Sequence, residues 1–170
     1  MSEVVGFPPV ADAAARVLIL GSMPGRTSLA MGQYYAHARN AFWFIMGALF
    51  GARPELPYEQ RLEVLRRRQV AVWDVMQACH RPGSLDGRIV AASIIPNDFA
   101  AFFRGHPRVR HVFFNGAAAA VAFERQVLPG LAPSMRAVHR QRLPSTSPAL
   151  AMLSREEKLE RWRVVREALS

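Results

Sequence analysis

The sequence predicts an α/β fold in three layers, with a central four-stranded parallel sheet between helices. Three observations predict it. Four short apolar runs read as strands. Helical stretches separate those runs, and strands that alternate with helices pair in parallel, because each helix supplies the crossover. Each run also ends in an unusual loop: "GSMPGRTS", "DVMQACHRPGS", "NGA" and "PSTSP". In an open parallel sheet the ligand crevice lies beyond the carboxyl ends of the strands. The chemistry is expected on that edge.

The first strand is "ARVLILG" (15–21), an apolar run closed by Gly21. Such a run reads as a buried strand. A long loop is expected from Ser22 to Arg39. "NAFWFIMGALFG" (40–51) reads as a helix, with Asn40 as N-cap and Gly51 as stop. "YEQRLEVLRRRQ" (58–69) places Leu62 and Leu65 on one face and charges elsewhere, which marks an amphipathic surface helix. "VAVWDVM" (70–76) is the second strand, and a loop is expected over 79–88. "NDFAAFFRGHP" (97–107) is a short helix, capped by Asn97 or Asp98. "RVRHVFFNG" (108–116) is the third strand. "AAAAVAFERQVL" (117–128) is a helix rich in the strongest helix former. "MRAVHRQRL" (135–143) alternates and reads as a fourth strand nearer an edge. After the loop at 144–149, Ser154 and Glu157 form a capping box for a last helix over about 155–168.

One domain over residues 1–170 is expected, since 170 residues suit a single core. Hydrophobic residues make up 51% and charged residues 21%, as in soluble globular proteins. No apolar run is long enough for a membrane helix. The first residues have acids early and no basic n-region, so no signal peptide is read there and a cytoplasmic protein is expected. The single cysteine, Cys79, excludes an internal disulfide and a four-cysteine cluster. His80, His106, His111 and His139 lack metal-ligand spacing, so no metal and no cofactor are expected. The formal net charge is +9, with a pI near 11.3. So basic a chain attracts polyanions, nucleic acid first. Codon bias is a second source of so many arginines.

The loops carry the candidate chemistry. "GSMPG" lacks the Lys-Ser/Thr pair of a phosphate-binding loop. Gly21 and Gly25 permit close backbone approach. In "YYAHARN", Tyr34 and Tyr35 offer flat faces to a base, or else are half-buried core. His37 and Arg39 can hold a phosphate. Asn40 can place a water, or only cap its helix. Asn115 ends its strand with an amide that both donates and accepts, which suits an oxygen beside an N–H, or else it is a turn residue. Ser145, Thr146 and Ser147 bring hydroxyls to a loop stiffened by prolines, a means of gripping phosphates. Asp74 is the one acid at a strand end, a base, a water-positioner or a structural anchor.

"GSMPGRTS", "YYAHARNAFW", "FFNGAAA" and "LPSTSPA", in this order and spacing, resemble the uracil-DNA glycosylase superfamily, and most of all its hypoxanthine-DNA glycosylase branch (family 6). The resemblance runs from about residue 15 to the final helix. It implies a four-stranded parallel sheet between helices. It implies that Asn40 is the catalytic residue, because the polar residue many relatives carry in the first motif is Met23 here. It places Tyr35 where relatives stack a ring on the flipped base and Asn115 where they read its edge, with Gly21, Ser22 and Met23 beside it. It puts His37, Arg39, Ser145, Thr146 and Ser147 against the DNA, with a wedge between Ser145 and Pro148. Ala38 departs from the proline often found after the histidine. A single cysteine sets the chain apart from the iron–sulfur branches.

The implied function is a monofunctional glycosylase that flips out a deaminated base, hypoxanthine first, from double-stranded DNA and leaves an abasic site. A monomer is expected. The one lysine, Lys158, lies outside the motifs, so no Schiff base and no strand cleavage are expected. The alternatives are preference for uracil or for a mismatch, and a nucleic-acid-binding module without catalysis.

Overall fold

The computed structural model describes residues 3–170. In chain order the elements are β1 (Glu3–Val5), β2 (Val17–Gly21), α1 (Arg26–Met31), α2 (Phe42–Phe50), α3 (Tyr58–Arg67), β3 (Val70–Asp74), β4 (Met76–His80), β5 (Ile95–Pro96), α4 (Phe99–Gly105), β6 (His111–Asn115), α5 (Ala117–Gln126), α6 (Pro133–Arg136), β7 (His139–Leu143) and α7 (Arg155–Glu167). The four strands expected from the sequence form one parallel sheet in the order β3-β2-β6-β7. The register sets Gly21 beside Asp74 and Asn115 beside Leu143. The loop-bearing ends therefore share one edge, and β7 lies at the side of the sheet, as its alternating pattern predicts.

Strand periodicity builds the two cores. Val17 and Ile19 of β2 pack on one face, with Phe42, Ile45 and Met46 of α2, Leu62 and Leu65 of α3, and Trp162 of α7. Leu18 and Leu20 pack on the other, with Phe99, Phe102 and Phe103 of α4 and Phe123 of α5. Successive side chains of a strand point to opposite faces, so one apolar run serves both layers. Helix α2 is apolar nearly all round. Such a helix has to be enclosed, and it lies between the sheet and α7. The α7 capping box forms as expected: Glu157 N donates to Ser154 Oγ at 3.1 Å, and Ser154 N donates to Glu157 Oε1 at 3.0 Å. Asp98 caps α4 by accepting from Ala101 N at 3.0 Å.

Several boundaries differ from the sequence reading. Residues 76–80, expected to run from strand into loop, form β4 of a second, antiparallel sheet ordered β1-β4-β5. Its partners lie far away in sequence, and local periodicity carries no trace of such pairing. The loop from Ser22 to Arg39 contains α1, whose N-cap is Gly25 and which has no side-chain cap and no acid in its first turn. The usual start signals are absent there. Residues 133–136 are helical where the fourth strand was expected to begin; Pro133 at the first turn favours helix, and β7 starts only at His139. Helix α2 begins at Phe42 with Ala41 as N-cap, two residues later than expected. Among the described residues, no helix is long and apolar enough to cross a membrane.

Candidate active site at the carboxyl edge of the parallel sheet

Gly21 ends β2 in a crowded place. A side chain there would begin 2.5 Å from Asp74 Oδ1 and 2.8 Å from Tyr35 Oη. So Gly21 makes room for two polar groups from its own protein. Asp74 is 3% exposed. Its Oδ2 is buried without a hydrogen-bond partner, and so is the Tyr35 hydroxyl. Burial, then the charge of Asp86, pushes the Asp74 carboxyl up to about 7, and the Arg81 guanidinium opposes them. Burial also holds the Tyr35 hydroxyl well above its ordinary value, and Asp74 adds to this. The Asn115 amide works the other way from nearby, without closing a hydrogen bond. Unpaired buried polar atoms are rare in folded proteins, and they gather where a ligand completes them.

The "GSMPG" loop is fastened from β4 and the turn after it. Arg81 is 1% exposed. It donates through Nη2 to Pro24 O at 2.7 Å and through Nε to Gly83 O at 2.9 Å, and Nη1 lies 3.5 Å from Met23 O. A buried guanidinium needs such acceptors, because its desolvation is costly. Ser22 Oγ donates to Asp86 Oδ1 at 2.7 Å. Burial raises the Asp86 pKa, while the Ser22 hydroxyl and Arg81 lower it. The Met23 side chain is buried in the core cluster that also holds Leu20 and Phe114. Arg81 and Asp86 are absent from the sequence reading. Neither residue type there signals a role by itself, and only the fold of β4 brings them to the loop after β2.

The "YYAHARN" segment folds back over the sheet edge. Tyr35 has a φ of 55°, in the left-handed region. This costs a residue with a side chain on the order of 1–2 kcal/mol. Its neighbours hold it there: Ala36 N donates to Ser28 Oγ at 3.0 Å, and Trp43 Nε1 to Tyr34 O at 2.9 Å. One face of the Tyr35 ring stacks on Phe42 at 3.9 Å between centroids. Tyr34 is core, donating through its hydroxyl to Pro8 O at 2.9 Å. His37 and Arg39 are exposed, and Arg39 N donates to His37 Nδ1 at 3.1 Å. Asn40 Oδ1 accepts from Phe42 N at 2.9 Å, which orients its amide at the start of α2 and leaves a lone pair and both N–H groups. These residues line a groove of about 860 Å³ with Phe44, Arg61 and Arg155.

Asn115 and the loop after β7 are joined. Asn115 Nδ2 donates to Thr146 Oγ1, and Thr146 N donates to Asn115 Oδ1, each at 2.9 Å. Thr146 O also accepts from Ala41 N at 3.0 Å. Thr146 is 1% exposed. This corrects the expectation that it touches phosphate: buried between Asn115 and Ala41, it ties three motifs together. Ser145 and Ser147 are half-buried and stand nearer solvent. Gly116, with a φ of 97°, lets this loop approach; a side chain there would begin 3.1 Å from Ser145 Cβ. From α7, Trp162 Nε1 donates to Pro144 O at 2.9 Å, and Lys158 Nζ to Ser147 O at 3.0 Å. Lys158 was expected to lie away from the motifs. The fold brings it to this loop, where burial lowers its pKa and a carbonyl occupies its ammonium. Among the described residues, no group of three or more histidines, cysteines or acids is placed to hold a metal ion.

Comparison with known proteins agrees with this geometry. Residues 8–168 match the model of the uracil DNA glycosylase superfamily. A hypoxanthine DNA glycosylase of Methanosarcina acetivorans is 34% identical over 146 residues, 81% of this chain and 91% of that protein. One from Methanosarcina barkeri is 40% identical over 112 residues, 65% of this chain and 70% of that protein. A solution NMR structure of a candidate uracil DNA glycosylase from Methanosarcina acetivorans superposes with a TM-score of 0.78 at 32% identity, covering 98% of each chain. The matched span holds both the four-stranded parallel sheet and every motif on its carboxyl edge, and this chain belongs to the uracil DNA glycosylase superfamily.

Proposed function

We propose that this protein is a monofunctional DNA glycosylase that removes a deaminated base, hypoxanthine first, from double-stranded DNA. One observation carries the reading. The sheet pairs Asp74 beside Gly21 and Asn115 beside Leu143, Tyr35 closes on the same Gly21, and Ala41 N donates to Thr146 O next to Asn40, in a chain whose relatives are named hypoxanthine DNA glycosylases; this supports one site at that edge. The formal charge of +9 favours a polyanion. His37, Arg39, Arg61 and Arg155 around the groove supply donors for phosphates. Ser145 and Ser147 face the backbone from the other side, and the wedge comes from the loop that Asn115 and Lys158 hold. All these residues come from one chain, so the reading needs no second copy.

The chemistry follows from placement. Weak pairing of a deaminated base lowers the cost of extrusion. The free face of Tyr35 supports the base, with Gly21 and Ser22 beside it. The C1′–N bond breaks and its electron pair leaves with the base. Asn40 holds a water through its remaining lone pair. The water oxygen bonds to C1′, and the proton it loses neutralises the departing base. The products are the free base and an abasic sugar. Fixed donors near the leaving base stabilise its developing charge. Asn115 acts first as the brace of the loop, with one amide N–H left toward its surroundings. Lys158 is occupied by Ser147 O, which supports hydrolysis without strand cleavage.

The test uses labelled duplexes with one hypoxanthine, uracil or xanthine, treated with protein and then alkali. Breaks at hypoxanthine that fall in Asn40→Ala establish substrate and catalytic residue together. The neighbour titled as a candidate uracil enzyme favours uracil as the second reading, and breaks at uracil alone establish that one. Binding to every duplex without breaks identifies a binding module instead.

A further inference from the structure

Among the described residues three buried side-chain atoms lack a hydrogen-bond partner: His80 Nδ1, and at this site Asp74 Oδ2 and Tyr35 Oη. The Asp74 and Tyr35 side chains both close on Gly21. Asp74 ends the strand paired with β2, at the edge that carries the motifs. Its backbone is satisfied: Asn97 Nδ2 donates to Asp74 O at 2.8 Å. Its side chain takes part in no ion pair among the described residues. A carboxylate buried in this way is costly, and it takes up a proton instead.

We propose that Asp74, as a neutral carboxylic acid, hydrogen-bonds the extruded base, its O–H donating to the base's carbonyl oxygen and its C=O accepting from the adjacent ring N–H. This rests on the glycosylase reading above and names the group that receives the leaving base. The two-point match is specific to a lactam edge, an oxygen beside an N–H, which hypoxanthine and uracil share. When the C1′–N bond breaks, negative charge builds on that oxygen. A neutral acid stabilises it, whereas a carboxylate would repel it. The proton stays on Asp74 throughout, so the atom balance of the hydrolysis is unchanged.

The titration of Asp74 is set by its surroundings. Asp86 after β4 raises it, Arg81 lowers it, and the hydroxyls of Tyr35 and Tyr34 feel its charge in return. Excision should therefore decline as pH rises through about 7. Single-turnover rates at saturating protein would be measured from acid to alkaline pH. Asp74→Asn keeps a donor and an acceptor but cannot ionise. It should hold within about ten-fold of the wild-type rate and lose the alkaline decline, while Asp74→Ala should fall by roughly 10²-fold. The same decline in Asp74→Asn, or full activity in Asp74→Ala, would overturn the proposal.

A second measurement does not need excision or a folded variant. The Asp74 carboxyl carbon is titrated by NMR in the wild-type protein, with and without free hypoxanthine. A midpoint moved upward by the base supports the neutral acid as the binding form. A midpoint unmoved or lowered sinks it. Absence of excision with every lesion would remove the glycosylase reading, so the two failures are separable.

Discussion

Asn115 and Thr146 grip each other at both ends of one amide. Each bond is 2.9 Å long, and both residues are buried. The pair joins the end of β6 to the loop after β7, and Thr146 O carries the connection on to Ala41. Thr146→Val keeps the shape and the bond from its backbone N–H, and it should cost about 1 kcal/mol. Asn115→Ala orphans two buried groups and should cost roughly 2–4 kcal/mol, since each unpaired group costs about 1–3. Denaturant unfolding of both variants and the double mutant measures this. A coupling near zero would refute the clamp.

Gly21 should tolerate no side chain. Alanine would place Cβ 2.5 Å from Asp74 Oδ1 and 2.8 Å from Tyr35 Oη. One of the two must move, at a cost of about 1–3 kcal/mol. Gly21→Ala is expected to lower the unfolding midpoint and slow excision. Gly87, with nothing near its absent Cβ, is the control expected to change neither.

Asn40 serves structure and chemistry through two lone pairs of one atom, Oδ1. Asn40→Asp keeps an oxygen for Phe42 N and should leave stability close to the wild type. It also keeps a lone pair for the water, so its excision rate should stay within about ten-fold of the wild type, whereas loss of the group in Asn40→Ala should cost roughly 10²–10³-fold. Asn40→Ala should lose the rate and about 1 kcal/mol of stability, as a lost cap does. Single-turnover assays and thermal denaturation separate the two losses.

Stability should depend on pH through Asp74. Its folded value of about 7 lies above the unfolded one near 3.9. The folded state binds more protons between those limits, so stability falls as pH rises through that window and is flat above it. Asp74→Asn should remove the slope and be more stable than wild type at pH 8 by up to a few kcal/mol. Unfolding free energies at pH 5 and pH 8, compared between the two proteins, decide it.

Arg39 is exposed and free to meet a phosphate. Arg39→Ala should weaken binding to any duplex and flatten the dependence of log affinity on log salt by about one unit. Titrations at several salt concentrations check this. An unchanged slope would place Arg39 off the DNA path.

Much of the fold was legible locally. "ARVLILG" and "HVFFN" announce buried strands by composition, and Ser154 with Glu157 announces α7. The motif loops follow those strands, and a parallel sheet must place them on one edge. Met23 was expected beside a base and Thr146 against DNA, and both side chains are buried. A motif tells which loop a residue belongs to, but not whether its side chain turns into the core or toward solvent. Lys158 and Arg81 were missed because each reaches the site from a distant element.

By itself, then, the sequence determined the three-layer α/β class, the four strands of the parallel sheet in chain order, the caps of α4 and α7, the basic charge and the position of each motif. These depend on periodicity and on residues near one another in the chain. Only the tertiary structure decided the antiparallel sheet of β1, β4 and β5, the clamp of Asn115 on Thr146, and the enclosure of Asp74 against Gly21 and Tyr35. Those depend on burial and on pairing across many residues. Burial is what lifts the Asp74 carboxyl from the ordinary carboxylate range to about 7.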